Sequence, residues 1–240
     1  MVFQRKYLLA FLVIGLLIFL VSYILLNNNL DSMTNDKSDL NQIIKLPETQ
    51  KEGQMSIEEA IESRRSIRNY LDKPVDLDKL GQVLWSAQGI TDDGGYRSAP
   101  SAGATYPLTV YITVREETDD LLSGVYKYKP DSHSIKRISD EDISEKLSQV
   151  ALNQTFIAEA PINLILTAVY ERTTERYGKR GERYVHIEVG HVAQNIYLQS
   201  ESLGLGTVAV GAFDDDKVHD LLQLSQDEVP VYIMPVGHQK

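Results

Sequence analysis

The chain has 240 residues, 42% hydrophobic and 24% charged, with a formal net charge of -10 at pH 7 and no cysteine. That composition describes a folded domain of ordinary size with an appendage, not a disordered chain. The acidic balance argues against nucleic acid as a partner. The absence of thiols excludes disulfides, thiolate metal sites, cysteine nucleophiles and lipoprotein processing.

The first residues are a different material from the rest. Tyr7 to Leu26 is a run of 20 residues without a charge. At ~1.5 Å per residue this is long enough to cross a hydrocarbon core of ~30 Å. Arg5 and Lys6 precede it, while Asp31, Asp36 and Asp39 follow it with only Lys37 positive. The positive-inside bias then leaves residues 1–6 in the cytoplasm, takes 7–26 through the membrane as a helix, and places the remainder outside. A cleaved signal peptide is the rival reading, with an apolar region of ~7–15 residues and a small-x-small cleavage site. The end of this run, Ser22-Tyr23-Ile24-Leu25-Leu26, offers no such site. Residues 27–55 are polar without hydrophobic period and read as a tether.

A folded domain over 56–240 follows. Ser56-Ile57-Glu58-Glu59 has the form of a capping box and opens a helix that runs into Arg64-Arg65-Ser66-Ile67-Arg68. Asp76 caps a second helix with Leu80, Val83, Leu84 and Ala87 on its apolar face, ended by Asp92-Asp93-Gly94-Gly95. Leu108 to Val114 is a strand; 124–128 and 134–138 form a hairpin pair; 143–152 is a helix. Pro161 to Val169 is apolar on both faces, as a central strand is. Tyr184 to Leu203 is a long helix striped by Val185, Val189, Val192 and Ile196, with Gly204 in the terminating position. Strands at 207–210 and 231–236, with a short helix from Asp214 between them, complete a mixed α+β domain.

The chemistry-bearing segments are few. If helical, Arg64 and Arg68 share one face at i, i+4, and two guanidinium forks beside Ser66 suit a phosphate dianion. Gly204-Leu205-Gly206 has the wrong order for a dinucleotide fingerprint, because a helix precedes it and a strand follows. His186 and His191, five apart around Glu188, do not match zinc-peptidase spacing; His191 is expected to be a buried, hydrogen-bonded histidine. No metal site and no Gly-x-Ser-x-Gly elbow is present. Pro100-Ser101-Ala102-Gly103-Ala104 is a small-residue turn that lets backbone approach a flat ligand, and the 206–213 segment is a strand running into a glycine-containing turn with amides to offer.

These pieces resemble the FMN-dependent nitroreductase superfamily, most closely its azoline-oxidising branch of peptide heterocycle dehydrogenases. The matching segments are RRSIRNY (64–70), LWSAQGIT (84–91), APSAGATYPLTVYI (99–112), GVYKYKPDSHSI (124–135), 176–198, 203–218 and YIMPVG (232–237), in the family's order over nearly all of 56–240. The resemblance implies a central, mostly antiparallel sheet flanked by helices, in an intertwined homodimer with FMN at the interface. It places Arg64, Arg65, Ser66 and Arg68 at the FMN phosphate and ribityl chain, and Pro100, Ser101 and Ala102 at the turn that closes on the cofactor. Val210, Gly211 and Ala212 would face flavin N5 and O4, and Gln194 the isoalloxazine or the dimer seam.

Two departures accompany the likeness. The family's basic residue near the C-terminus could here only be Lys240. The azoline-oxidising members use a Lys-Tyr pair as base, where this chain has Arg176-Tyr177 and Arg183-Tyr184, and arginine does not deprotonate in proteins. No catalytic residue stands out; the flavin would carry the chemistry, with Tyr177 and Tyr184 as the candidate side chains. The expected function is a membrane-anchored, FMN-dependent oxidoreductase passing electrons, ping-pong, from a donor such as NAD(P)H to an organic acceptor. The alternatives are azoline oxidation on a modified peptide and a flavin-binding interaction module without turnover.

Overall fold

The structure, a computed structural model, describes residues 19–23 and 40–240. The chain divides into Met1–Gln42 and Ile43–Lys240. In the first unit residues 19–23 are helical. Most of the expected membrane span over 7–26, and the first part of the expected tether, 27–39, lie outside the described residues. Among the described residues no helix is long and apolar enough to cross a membrane.

The second unit is built on a seven-stranded sheet in the order β1-β4-β3-β2-β5-β7-β6. Its strands are β1 (Ile43–Lys45), β2 (Leu108–Val114), β3 (Gly124–Lys129), β4 (Ser134–Ser139), β5 (Ile162–Val169), β6 (Leu205–Thr207) and β7 (Glu228–His238), and every neighbouring pair is antiparallel. β5 is buried at all its positions, as its unbroken apolar run requires of a strand covered on both faces. Side chains alternate across the pleat. Ile112, Leu164, Leu166 and Met234 therefore face α2 (Leu77–Gln88) and α6 (Arg180–Ser202) in one core. Tyr111, Ile165 and Ile233 face the other way. They pack against α3 (Ser144–Val150), α4 (Thr155–Glu159) and α7 (Asp215–Leu222).

Several expectations need correction. The second unit begins at Ile43, inside the expected tether: β1 pairs with β4, Leu46 N donates to His133 O at 3.0 Å, and Leu46 is buried. Ile44 and Leu46 are a two-residue apolar alternation, too short to show against the polar composition around it. The second helix stops at Gln88, with Gly89 as its cap, before the acidic turn. The long helix starts at Arg180, after a separate α5 (Glu171–Tyr177) that ends at Gly178 with φ +57°. The expected strand over 207–210 is split: β6 ends at Thr207, and only Val210 returns to bridge Ile233.

Candidate functional site

α1 (Ile57–Ser63) opens as its sequence requires. Ser56 Oγ accepts from Glu59 N at 3.1 Å, and the Glu59 carboxylate accepts from Ser56 N at 2.8 Å. The helix ends at Ser63, and Arg64 has ψ 125°. Residues 64–68 are therefore not a helical turn, and the i, i+4 argument does not apply. The segment instead lies beside β6, with a parallel bridge from Ser66 to Thr207 and Ile67 N donating to Thr207 O at 2.9 Å. Gly206 permits this approach, since a Cβ there would stand 2.6 Å from the Ile67 side chain.

The extended spacing brings Arg64 and Ser66 to one side chain, Tyr197 of α6. The Arg64 guanidinium lies 5.2 Å from the Tyr197 ring centroid, and Ser66 Oγ is 3.1 Å from the Tyr197 hydroxyl. Arg68 lies 5.7 Å from the Phe156 ring centroid. Arg65 turns the other way and donates to Glu62 O at 2.9 Å and Arg64 O at 2.8 Å. It closes the helix end. Tyr197 takes no role in the sequence reading; its signal was a hydroxyl next to Ile196, the last member of the apolar stripe on the long helix.

Tyr197 also reaches the third segment, its hydroxyl accepting from Ala209 N at 2.8 Å. Beyond it the chain touches β7 once, with Val210 N donating to Ile233 O at 2.8 Å and Ile233 N to Val210 O at 3.0 Å. The Val210 amide is thus consumed, against the expectation that it faces the cofactor. Gly211 and Ala212 are exposed, and their amides donate to no acceptor among the described residues. The Ala212 carbonyl is held by Gln154 Nε2 at 3.0 Å, and Asp214 caps the next helix. Two adjacent free amides thus sit on a backbone fixed on both sides.

The small-residue turn lies further back along α6. Gly103, Ala104 and Tyr106 take φ +62°, +53° and +45°. Ser101 Oγ accepts from Tyr106 N at 3.0 Å. Pro100 O accepts from His191 Nδ1 at 3.2 Å, so His191 is hydrogen-bonded but exposed, not buried as expected. Arg176 donates to Gly103 O at 3.1 Å, and a Cβ on Gly103 would stand 2.5 Å from the Tyr177 hydroxyl. Tyr177 and Tyr184 meet edge to face at 5.1 Å. Gln194 is exposed on α6, its side chain without a hydrogen bond among the described residues, and Ala102 opens the 3-10 turn. Lys240 is exposed after Gln239, which bridges to Tyr70 two residues beyond Arg68. The expected residues thus form two groups on one helix. Arg64, Ser66 and the Ala209 amide meet at Tyr197, with Arg68 two residues on from Ser66 against Phe156 and Gly211 and Ala212 just beyond Ala209. Pro100–Ala102, Tyr177 and Tyr184 gather near His191, ~9 Å back along the axis.

Residues 61–238 match the profile described as Nitroreductase family. The chain belongs to the nitroreductase family. A candidate nitroreductase of Methanocaldococcus jannaschii is 50% identical over 196 residues, covering 82% of this chain and 96% of that protein. An FMN reductase (NAD(P)H) of Bacillus subtilis is 28% identical over 193 residues, covering 75% of this chain and 64% of its own. The microcin B17-processing protein McbC of Escherichia coli is 25% identical over 172 residues, covering 69% and 63%. The chain therefore spans somewhat less than two thirds of these last two relatives. Among solved nitroreductase folds, a candidate nitroreductase from Ralstonia eutropha superposes with a TM-score of 0.73 at 27% identity, over 85% of this chain and 92% of that one. Family membership and these relatives make the chain an oxidoreductase of nitroreductase or FMN reductase type.

Proposed function

We propose that the chain is a membrane-anchored, FMN-dependent oxidoreductase that takes electrons from NAD(P)H and delivers them, ping-pong, to a small organic acceptor. The observation that carries this reading is the meeting of Arg64, Ser66 and the Ala209 amide at one tyrosine, with Arg68 two residues on from Ser66 and the unengaged amides of Gly211 and Ala212 just beyond Ala209. These donors fit the cofactor. Two guanidinium groups and a hydroxyl suit a phosphate ester, with Lys240 as a further cation on the Tyr70 side. Free backbone N–H groups suit the electron-rich edge of an isoalloxazine. FMN, when bound, supplies reversible electron and hydride transfer. The residues of this chain bind it, orient it and present amides where negative charge develops. Pro100–Ala102, Tyr177 and Tyr184 would cover the ring and exclude water.

The two groups on α6 lie apart within one chain, and a homodimer that brings the Pro100 turn of one copy to the arginine segment of the other would join them. Exposed apolar side chains support such an interface: Ile57 and Ile61 on α1, and Ile187 on α6, next to the small, uncovered Gly190. The anchor rests on the uncharged run over 7–26 and the charge difference across it. A second reading is azoline oxidation on a modified peptide. Similarity to a microcin-processing protein favours it; Arg176 in place of a titratable base opposes it.

The test is spectroscopic. The detergent-solubilised full chain should be yellow with flavin released by heat, bleach with NAD(P)H and recover colour with a nitroaromatic or quinone. A protein that neither holds FMN nor takes it up ends the cofactor reading. A flavin that binds but never bleaches leaves only a binding module.

A further inference from the structure

α6 carries a polar ladder on the face that meets residues 97–101. Asn195 Nδ2 donates to Ser98 O at 3.3 Å and Ser86 O at 3.0 Å. His191 Nδ1 donates to Pro100 O at 3.2 Å. Glu188, one turn earlier, has Ser101 and Gln88 beside it. Residues 188, 191 and 195 share one helix side; 191 and 195 grip 100 and 98 in turn, so helix and segment run antiparallel and Glu188 falls in line with Ser101. Two rungs grip backbone carbonyls. The third is an ionisable side chain that is only 2% exposed.

Glu188 has no salt bridge among the described residues. The nearby cation, Arg97, is engaged elsewhere: it donates to Gln88 Oε1 at 2.6 Å and lies 4.5 Å from the Tyr106 ring centroid. Glu188 Oε1 and Gln88 Nε2 are both buried without a partner. Ser101 Oγ accepts from Tyr106 N, which leaves its own hydroxyl proton free for an acceptor. Tyr106 and Ala104 hold left-handed backbone conformations that cost energy and persist only where surroundings enforce them.

We propose that Glu188 is a positioning residue: through Ser101 it sets the Pro100–Ala102 turn, and thereby the fit of that turn to the flavin. The ligand in this proposal rests on the cofactor reading above; the geometry rests on the ladder alone. Burial holds the Glu188 carboxyl above the ordinary carboxylate range, against the opposing pull of Ser101, Gln88, Arg97 and His191. Arg97 from the 96–98 loop and His191 from α6 itself are the charged or titratable groups facing it. A carboxyl raised on folding favours the folded state most below its unfolded value, and that contribution is lost as pH rises through the folded value. The turn should therefore loosen on the alkaline side, when a carboxylate forms without a committed cation.

The experiment is hydrogen exchange on the full chain, with and without added FMN, for wild type, Glu188→Gln and Glu188→Leu. In the absence of FMN, Glu188→Leu should exchange about tenfold faster over 97–106 with β5 unchanged, and Glu188→Gln should restore protection. FMN affinity should follow the same order. Wild type, but not Glu188→Gln, should lose protection over 97–106 as pH is raised. Unchanged exchange in Glu188→Leu, or identical pH profiles for wild type and Glu188→Gln, overturns the proposal. If Glu188→Leu does not fold, the pH comparison decides alone. If wild type binds no FMN while the exchange pattern holds, the cofactor reading fails and the positioning of the turn by Glu188 stands.

Discussion

Tyr197 joins two separate segments with a single oxygen, accepting from Ala209 N while meeting Ser66 Oγ. Tyr197→Phe should weaken FMN binding roughly tenfold, because a part-buried amide and a hydroxyl both lose their partner. Fluorescence titration with FMN measures it; an unchanged dissociation constant would mean the hydroxyl plays no part. Arg64→Ala and Arg68→Ala should each cost ~1.5–3 kcal/mol of FMN affinity, or about ten- to a hundredfold, and Arg64→Lys should recover only part of that. Arg65→Ala should leave affinity within about threefold and act on α1 instead, since its guanidinium closes that helix. The sequence offers Arg64, Ser66 and Arg68 as a phosphate-like donor set, and in the structure Arg64 and Ser66 meet at Tyr197 while Arg68 lies against Phe156. Which of the three arginines turns away was not legible in the sequence, because it depends on where the helix ends. Tyr197 was hidden among apolar neighbours, and the engagement of Val210 depends on a strand that lies more than twenty residues downstream.

At the scale of elements, local signals read well and tertiary ones did not. The capping box at Ser56 and the caps at Asp76 and Asp214 lie where the sequence marks them. Ser56→Ala should destabilise the domain by about 1 kcal/mol, read from the midpoint of a urea transition. The stop at Ser63 has no glycine or proline to announce it; the bridge to Thr207 pulls the chain out of the helix. β1 escaped notice for a related reason, as three residues gain strand geometry only from the β4 edge. Gly206→Val tests the close approach of segment and strand. Its side chain would overlap Ile67, so the domain should lose about 1–3 kcal/mol and FMN affinity should fall with it. Normal affinity in a stable Gly206→Val variant would show that the arginine segment can shift without harm.

For the whole molecule, the central strand was the most legible part, since an eight-residue run buried on both faces has few other homes. Leu164→Ala in its middle should cost ~2–5 kcal/mol in the same urea assay. Membrane orientation is a proposal from charge alone, two cations before the apolar run against a mainly acidic stretch after it. Protease added to intact cells should degrade the domain; protection in intact cells and loss only after lysis would reverse the orientation. The sheet order bears on how such a domain could be made. β5 lies between β2 and β7, so its second edge stays open until Glu228–His238 has been synthesised. The two strands are distant in sequence, and distant pairings form slowly. On the proposed topology, a nascent chain could not complete its core while the N-terminal run was being recognised, and would remain unfolded long enough to be threaded through a narrow secretion channel. Folding and cofactor loading would then both take place on the far side, with the supply of flavin there setting how much of the protein becomes active.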